Sequence, residues 1–362
     1  MKRLGGLWER VVGFDNLLLA FRKARRGKRR RPPVAGFELN LEKESLALQR
    51  ELQSREYVPG AYRLFTIYER KPRFIAAAPF RDRVVHHALL NIIEPPIDRR
   101  FFHDSYACRA GKGAHAAVSR YQGWSRRYHF ALKMDIARYF PSIDHALLKE
   151  KLRRYIKDRR VLDLLDRIID FSPSAPDNMP LVYFPGDDLF TPMERRIGIP
   201  IGNLTSQFFA NLYLNDFDHL VKEELRVGAY LRYVDDMVIL GDDKNRLAEL
   251  RLRAREQLVR DRLRLHPNKA HIVPVRCGLD LLGYRVFPDH RRLRNDNGWR
   301  FIRRLRKFAA AYAMGLLHWQ DFDLSVQSWI GHACHADTLA LRKNIFSRTI
   351  FIRGAGHTVA SG

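Results

Sequence analysis

With 362 residues, 46% of them hydrophobic, the chain is long enough for two or three subdomains and too apolar to be disordered throughout. Lys and Arg outnumber Asp and Glu by 65 to 40, and a formal charge of +25 opposes compaction unless a polyanion offsets it, which points to nucleic acid as a partner. No apolar run reaches the roughly 18 residues of a membrane span and the first residues lack a secretory h-region, so no membrane association is expected and a cytoplasmic location is.

Apolar spacing at Leu7, Val11, Val12, Phe14, Leu17 and Leu18 predicts a helix in the first 20 residues. Eight of the ten positions from Arg22 to Arg31 are basic, and Pro32-Pro33 then stops a helix. This run, with Arg25, Arg26, Arg29 and Arg30, reads either as a phosphate-contacting arm or as a solvated charge run. A helix is predicted over 38–56, strands within 62–80, and a helix from Asp82 to Ile97 that ends near Pro95-Pro96. A strand follows over Tyr128–Asp135 and one helix over Ala146–Ile169. Five prolines between 172 and 193 predict a long loop. Helix is predicted from Leu204 to about Leu225, then two short strands around a tight turn over Tyr230–Leu240. A basic amphipathic helix over Leu247–Leu263 precedes short strands near 272–275 and 281–287, and helix resumes from Trp299. The three cysteines, Cys108, Cys277 and Cys334, form no Cys-x-x-Cys, so no disulfide framework is expected, and Gly331–His335 lacks a four-ligand zinc set.

Two segments carry the chemistry. In Phe130–Ile136 an apolar strand ends in Asp135. In Tyr230–Leu240 the pair Asp235-Asp236 interrupts β-branched and aromatic residues, at the tip of the predicted hairpin. Adjacent carboxylates repel in a partly dry site, and a divalent cation relieves that repulsion. A third carboxylate from a distant strand completes an all-oxygen site for two Mg²⁺ ions, with Mn²⁺ a possible substitute, as phosphoryl transfer requires. Asp-Asp pairs are also common in plain turns. Asp187-Asp188 and Asp242-Asp243 lie in polar, turn-like sequence, whereas Asp235-Asp236 sits where an uncompensated charge is costly.

Further blocks occur in order around these carboxylates: Lys71-Pro72-Arg73, Pro79–Val85, Ser105–His115, Asp135–His145, Tyr233–Asp236 and Leu281–Tyr284. Over roughly residues 60–290 the chain resembles reverse transcriptases. The resemblance implies an α+β right-hand polymerase fold: a basic N-terminal extension (1–60), fingers (61–127), a palm (128–290, with part of the fingers and the Pro-rich loop 172–193) and a helical thumb (291–362). It implies metal ligation by Asp135, Asp235, Asp236 and the Ile136 carbonyl, and triphosphate neutralisation by Lys71 and Arg73. Ala137, Arg138, Tyr139, Phe140, Ile201, Gly202 and Gln207 would surround the incoming deoxynucleoside triphosphate. Arg81, Arg83, Arg109, Tyr233, Gly283 and Tyr284 would meet template or primer. Phe140 is either a steric gate against a ribose 2′-hydroxyl or an ordinary core aromatic. Lys269 is either a proton donor to pyrophosphate or a surface lysine, and Trp329 is either a core residue or a stacking platform.

The segment Ile199–Gln207 narrows the resemblance. Intron-type enzymes have a Gln-Gly pair where this chain has Ile201-Gly202, and the pattern Ile-Gly-x-x-x-Ser-Gln is similar to reverse transcriptases of diversity-generating retroelements. Those enzymes copy a template-repeat RNA into cDNA, forming an RNA/cDNA hybrid, and misincorporate opposite adenines. They usually work with a small basic accessory protein that forms a barrel-shaped oligomer. The alternatives are another bacterial reverse transcriptase of retron, abortive-infection, CRISPR-associated or intron type, and a non-catalytic RNA-binding scaffold.

Overall fold

The computed structural model describes residues 2–68, 72–173 and 180–353. The N-terminal helices are α1 (Trp8–Val12), α2 (Phe14–Ala24), α3 (Pro32–Leu39) and α4 (Leu41–Ser54). The basic run turns between α2 and α3, and Pro32-Pro33 open α3, where a missing N–H costs nothing. A two-stranded antiparallel ribbon, β1 (Arg63–Tyr68) and β2 (Pro72–Ala77), pairs Ile67 with Arg73 and Thr66 with Phe74. Every residue of β1 is exposed, Leu64, Phe65 and Ile67 among them.

Helix α5 (Phe80–Asp98) continues through Pro95 and Pro96 rather than ending there. The fully buried Ile93 and Ile97 hold the turn on either side, so tertiary packing outweighs the lost backbone bonds. Then come α6 (Ala114–Ser125), β3 (Phe130–Asp135), α7 (Tyr139–Ser142), α8 (His145–Tyr155) and α9 (Arg159–Asp170). The single helix expected over 146–169 is therefore two. In the gap, Leu4 bridges Ile156, and Asp158 accepts from Val161 N at the start of α9 and from Leu7 N (2.7 Å) and Trp8 N (3.1 Å) at the start of α1.

The described part of the Pro-rich loop holds one short helix, α10 (Thr191–Glu194). Its end is stitched to the segment after Asp135: Gly198 N donates to Ile143 O (2.8 Å) and Ile199 N to Phe140 O (3.0 Å). The remaining elements are α11 (Leu204–Tyr213), α12 (Asn215–His219) continued by a π-helical turn, β4 (Tyr230–Tyr233), β5 (Asp236–Gly241), α13 (Lys244–Arg260), β6 (His271–Pro274), β7 (Leu279–Leu281), β8 (Tyr284–Val286), β9 (Arg291–Leu293), α14 (Asn295–Ala313), α15 (Trp319–Ala333) and α16 (Leu339–Ser347). Strand β9 escaped the sequence reading because its Arg-rich sequence lacks an apolar alternation. One sheet has the order β4-β5-β3-β6 and another β7-β8-β9. The mixture of helices and antiparallel sheets is of the α+β class.

The described residues form two compact units, one within 2–111, 133–238 and 248–271, the other within 112–132, 239–247 and 272–353. In the second, Trp329 is buried, stacks on Phe301 with centroids 3.8 Å apart, and donates to Asn297 Oδ1, so it is a core residue. Among the described residues no helix is long and apolar enough to cross a membrane.

Candidate active site

All three candidate carboxylates belong to the first unit. Asp135 ends β3, and its carbonyl accepts from His266 N (2.8 Å) while Ala137 N donates to Arg264 O (2.9 Å). These two bonds flank a bridge between Ile136 and Leu265 and leave the Ile136 carbonyl out of the pairing. Asp235 lies in the two-residue turn between β4 and β5, and Asp236 opens β5. Val234, the first turn residue, has φ 57°, a left-handed conformation costly for a β-branched side chain.

Burial raises the Asp235 titration point to about 6, assisted by the negative charges of Asp236 and Asp135. Lys269 Nζ lies 2.8 Å from Asp135 Oδ2, and Lys133 Nζ lies 3.3 Å from Asp236 Oδ1. Lys133 stands two residues before Asp135 on β3, hence on the same face. The site is thus a concentration of carboxylate charge partly balanced by two lysines. Among the described residues no three His, Cys, Asp or Glu side chains stand ready-clustered as metal ligands. The donor chemistry, three hard carboxylate oxygens whose charges couple, nevertheless suits a hard divalent cation.

The other Asp-Asp pairs differ. Asp187 forms an ion pair with Arg195 and accepts from Phe184 N, and Asp188 accepts from the Thr191 hydroxyl and from the backbone of Phe190 and Thr191. Asp242 accepts from His129 N (2.9 Å) and faces its ring. Hydrogen bonds lower the titration of all three, Arg195 acting on Asp187, Thr191 on Asp188 and His129 on Asp242. They are local fasteners.

Phe140 is half-buried and meets Tyr139 edge-on, with centroids 5.8 Å apart, while Tyr139 is buried and donates to Ala210 O. Ala137 and the exposed Arg138 line a cavity of about 680 Å³ with Val182, Arg264 and His266. Ile201 is half-buried, and its carbonyl accepts from Ala76 N on β2. Gly202 has φ 112°, and a Cβ there would lie 3.2 Å from Ile75 Cγ2. Asn203, not singled out from sequence, fixes this junction: its Oδ1 accepts from Ala78 N (3.2 Å) and its Nδ2 donates to Ala76 O (3.1 Å). A polar residue just before a helix reads as a cap, which concealed that role. Gln207 is exposed on α11, and Arg73 is exposed on β2. Lys71 lies outside the described residues.

Among the expected nucleic-acid contacts, Arg26, Arg29 and Arg30 are exposed, and Glu38 pairs with Arg25 and, at 3.4 Å, with Arg29. Arg81 pairs with Glu51, and Arg83 Nε donates to Ala78 O (2.9 Å). Arg109 is engaged within the fold. Its side chain is turned inward and spent on Asp98 (2.6 Å) and on the carbonyls of Phe102 (2.7 Å) and Ser105 (3.0 Å). Sequence shows that an arginine is present but not which way it faces. Tyr233 is half-buried. Gly283 and Tyr284 belong to the second unit, where Leu282 (φ 48°) and Gly283 (φ 94°) form the β7–β8 turn. Tyr284 is buried, and its hydroxyl donates to His332 O (2.8 Å).

Residues 67–286 match the family described as "Reverse transcriptase (RNA-dependent DNA polymerase)". Protein YkfC of Escherichia coli (strain K12) is 26% identical over 300 residues, covering 70% of this chain and 75% of that protein. Nuclear intron maturase 1, mitochondrial, of Arabidopsis thaliana is 32% identical over 93 residues, 26% of this chain and 13% of that protein. The putative COX1/OXI3 intron 1 protein of Saccharomyces cerevisiae is 20% identical over 190 residues, 52% of this chain and 21% of that protein.

Proposed function

The chain belongs to the reverse transcriptase family and is an RNA-directed DNA polymerase, and we propose that Asp135, Asp235 and Asp236 are its catalytic carboxylates. Reverse transcriptases generally use divalent metal ions. The observation that carries the proposal is placement: Asp135 ends β3, and Asp235 and Asp236 stand at the β4–β5 turn, with β5 the sheet neighbour of β3, and burial with the charges of Asp236 and Asp135 raises the Asp235 titration. A buried carboxylate raised by two neighbouring acids is what a cation-binding site needs and what a structural turn avoids. These carboxylates and the Ile136 carbonyl would hold two Mg²⁺ ions, for which Mn²⁺ could substitute. Bound there, such ions would supply Lewis-acid activation of the primer 3′-hydroxyl and charge stabilisation for the leaving pyrophosphate. Lys133 and Lys269, each against a carboxylate in this structure, balance part of the charge that the cations would neutralise. Lys269, beside Asp135, would hold a proton for the leaving group.

In this reading the fold is a right hand of fingers, palm and thumb behind a basic N-terminal extension. Lys71 and Arg73 neutralise the triphosphate, and Phe140 meets the sugar. Gly202 and Ile201, fixed to β2 through Asn203 and the Ile201 carbonyl, form part of the nucleotide pocket. Ile201 offers no side-chain hydrogen bond there, which supports the finer reading. The enzyme copies a template-repeat RNA into cDNA with adenine-directed errors for diversity generation, alongside a small basic accessory protein. The likeness to intron maturases supports a second reading, an intron-type enzyme without programmed errors. The two separate on the error spectrum of the cDNA.

The test is extension of a DNA primer on an RNA template in Mg²⁺. The wild-type chain extends the primer and Asp135→Asn does not; equal extension would refute the carboxylate assignment.

A further inference from the structure

Arg232 stands three residues before Asp235 and is fully buried, at 0% exposure, as is its partner Asp218 on α12. Its Nε donates to both Asp218 oxygens (2.8 and 3.0 Å) and its Nη2 to Asp218 Oδ2 (2.7 Å) and Asn211 O (3.4 Å). Nη1 donates to Asn211 Oδ1 (3.3 Å) and to the carbonyl of Val234 (3.1 Å). All five guanidinium N–H groups therefore have acceptors inside the fold. Asp218 Oδ1 also accepts from the Tyr230 hydroxyl (2.7 Å), and Asn211 Nδ2 donates to Ala107 O (2.8 Å). The Arg232 backbone is gripped as well, its N donating to Asp104 O (3.0 Å) and its O accepting from Tyr106 N (2.9 Å).

A buried ion pair is a poor device for stability, because apolar residues of similar volume commonly serve as well or better. Here the pair has another consequence. Val234 holds φ 57°, and a β-branched residue stays there only when its surroundings over-determine it. The Nη1 bond to its carbonyl ties this turn to α11 and α12.

We propose that Arg232, clamped by Asp218, is a positioning residue that holds the Val234 peptide so that the neighbouring Asp235 carboxylate stays directed toward Asp135. This rests on the reading of Asp235 as catalytic. Lysine at position 232 would keep the charge but lacks a planar fork able to span Asp218, Asn211 and the Val234 carbonyl together.

The experiment compares wild type, Arg232→Lys, the charge-free double variant Arg232→Met with Asp218→Leu, and Asp235→Asn. It measures thermal midpoint, affinity for an RNA/DNA primer–template, single-turnover rate of nucleotide addition, nucleotide KM, and amide exchange over residues 230–240. The double variant is expected to stay folded and to bind primer–template within about threefold of wild type, with single-turnover rates of both Arg232 variants at least about tenfold lower at little-changed KM. Amide exchange over 233–237 rises in both. A folded variant with wild-type rate and exchange overturns the proposal. So does a rate loss that only tracks primer–template affinity or midpoint, and so does failure of both variants to fold, which assigns the pair to stability alone. Full activity in Asp235→Asn would instead sink the carboxylate reading, and exchange over the turn still reports whether Arg232 holds it.

Discussion

Asp235, Asp188 and Asp242 are one side chain in three electrostatic settings. Backbone and hydroxyl donors hold Asp188 below the usual carboxylate range and His129 does the same for Asp242, whereas burial and two neighbouring acids push Asp235 up to about 6. The distinction was legible, because Asp235-Asp236 interrupts an apolar run in which a charge has no inexpensive explanation. The same logic applies to Arg232, a cation inside the apolar strand preceding that pair, yet its partner Asp218 is 14 residues away and no local pattern links them. Ile201 is the residue on which the error reading depends. Its side chain offers no hydrogen bond, so in the proposed nucleotide pocket discrimination would rest on shape alone, which supports only modest ratios. Ile201→Gln is expected to lower misincorporation opposite template adenines by roughly tenfold, about 1.4 kcal/mol of regained discrimination, with little change at other bases. Sequencing cDNA from a defined RNA template checks this, and an unchanged spectrum would detach Ile201 from fidelity.

At the scale of elements, the β4–β5 hairpin and the β3 end came directly from alternation and turn length, since both are short and locally coded. Two helices did not. Pro95 and Pro96 lie inside α5 because buried isoleucines on both sides hold the turn, and α8 and α9 separate because Leu4 and Asp158 interpose. Both outcomes depend on contacts distant in sequence. Helix α5 also carries His86, buried, with no partner on its Nδ1, its titration lowered to about 3, chiefly by burial. The unfolded chain takes up that proton below about pH 6.5 and the folded chain does not until about 3, so the stabilisation is complete above 6.5 and falls as pH drops through this window. At pH 5 this one group costs about 2 kcal/mol. His86→Leu is therefore expected to shrink the stability difference between pH 7 and pH 5 by about that amount in urea titrations. An unchanged difference would mean that His86 is protonated in the folded protein.

For the whole molecule, the charge of +25 is the property from which a polyanion partner was inferred, and it makes binding to that partner salt-dependent. Composition could not reveal which cations remain outward. Arg109 and Arg25 are engaged internally, while Arg26, Arg29 and Arg30 are exposed on the α2–α3 turn, Arg29 with Glu38 3.4 Å away. Replacing those three with alanine is expected to weaken primer–template binding across sequences. The slope of log affinity against log salt should become shallower by about 2 to 3, since each lost phosphate contact removes about 0.7 to 0.9. An unaltered slope would remove this turn from the interface.

The central claim is that three coupled carboxylates, and not the other Asp-Asp pairs, perform RNA-directed DNA synthesis. Primer extension in Mg²⁺ on one RNA template, comparing Asp235→Asn with Asp188→Asn and Asp243→Asn, tests it most directly. The account predicts a loss of at least about a thousandfold for Asp235→Asn, about 4 kcal/mol of transition-state stabilisation, and near wild-type rates for the other two. Comparable rates for all three variants would contradict it.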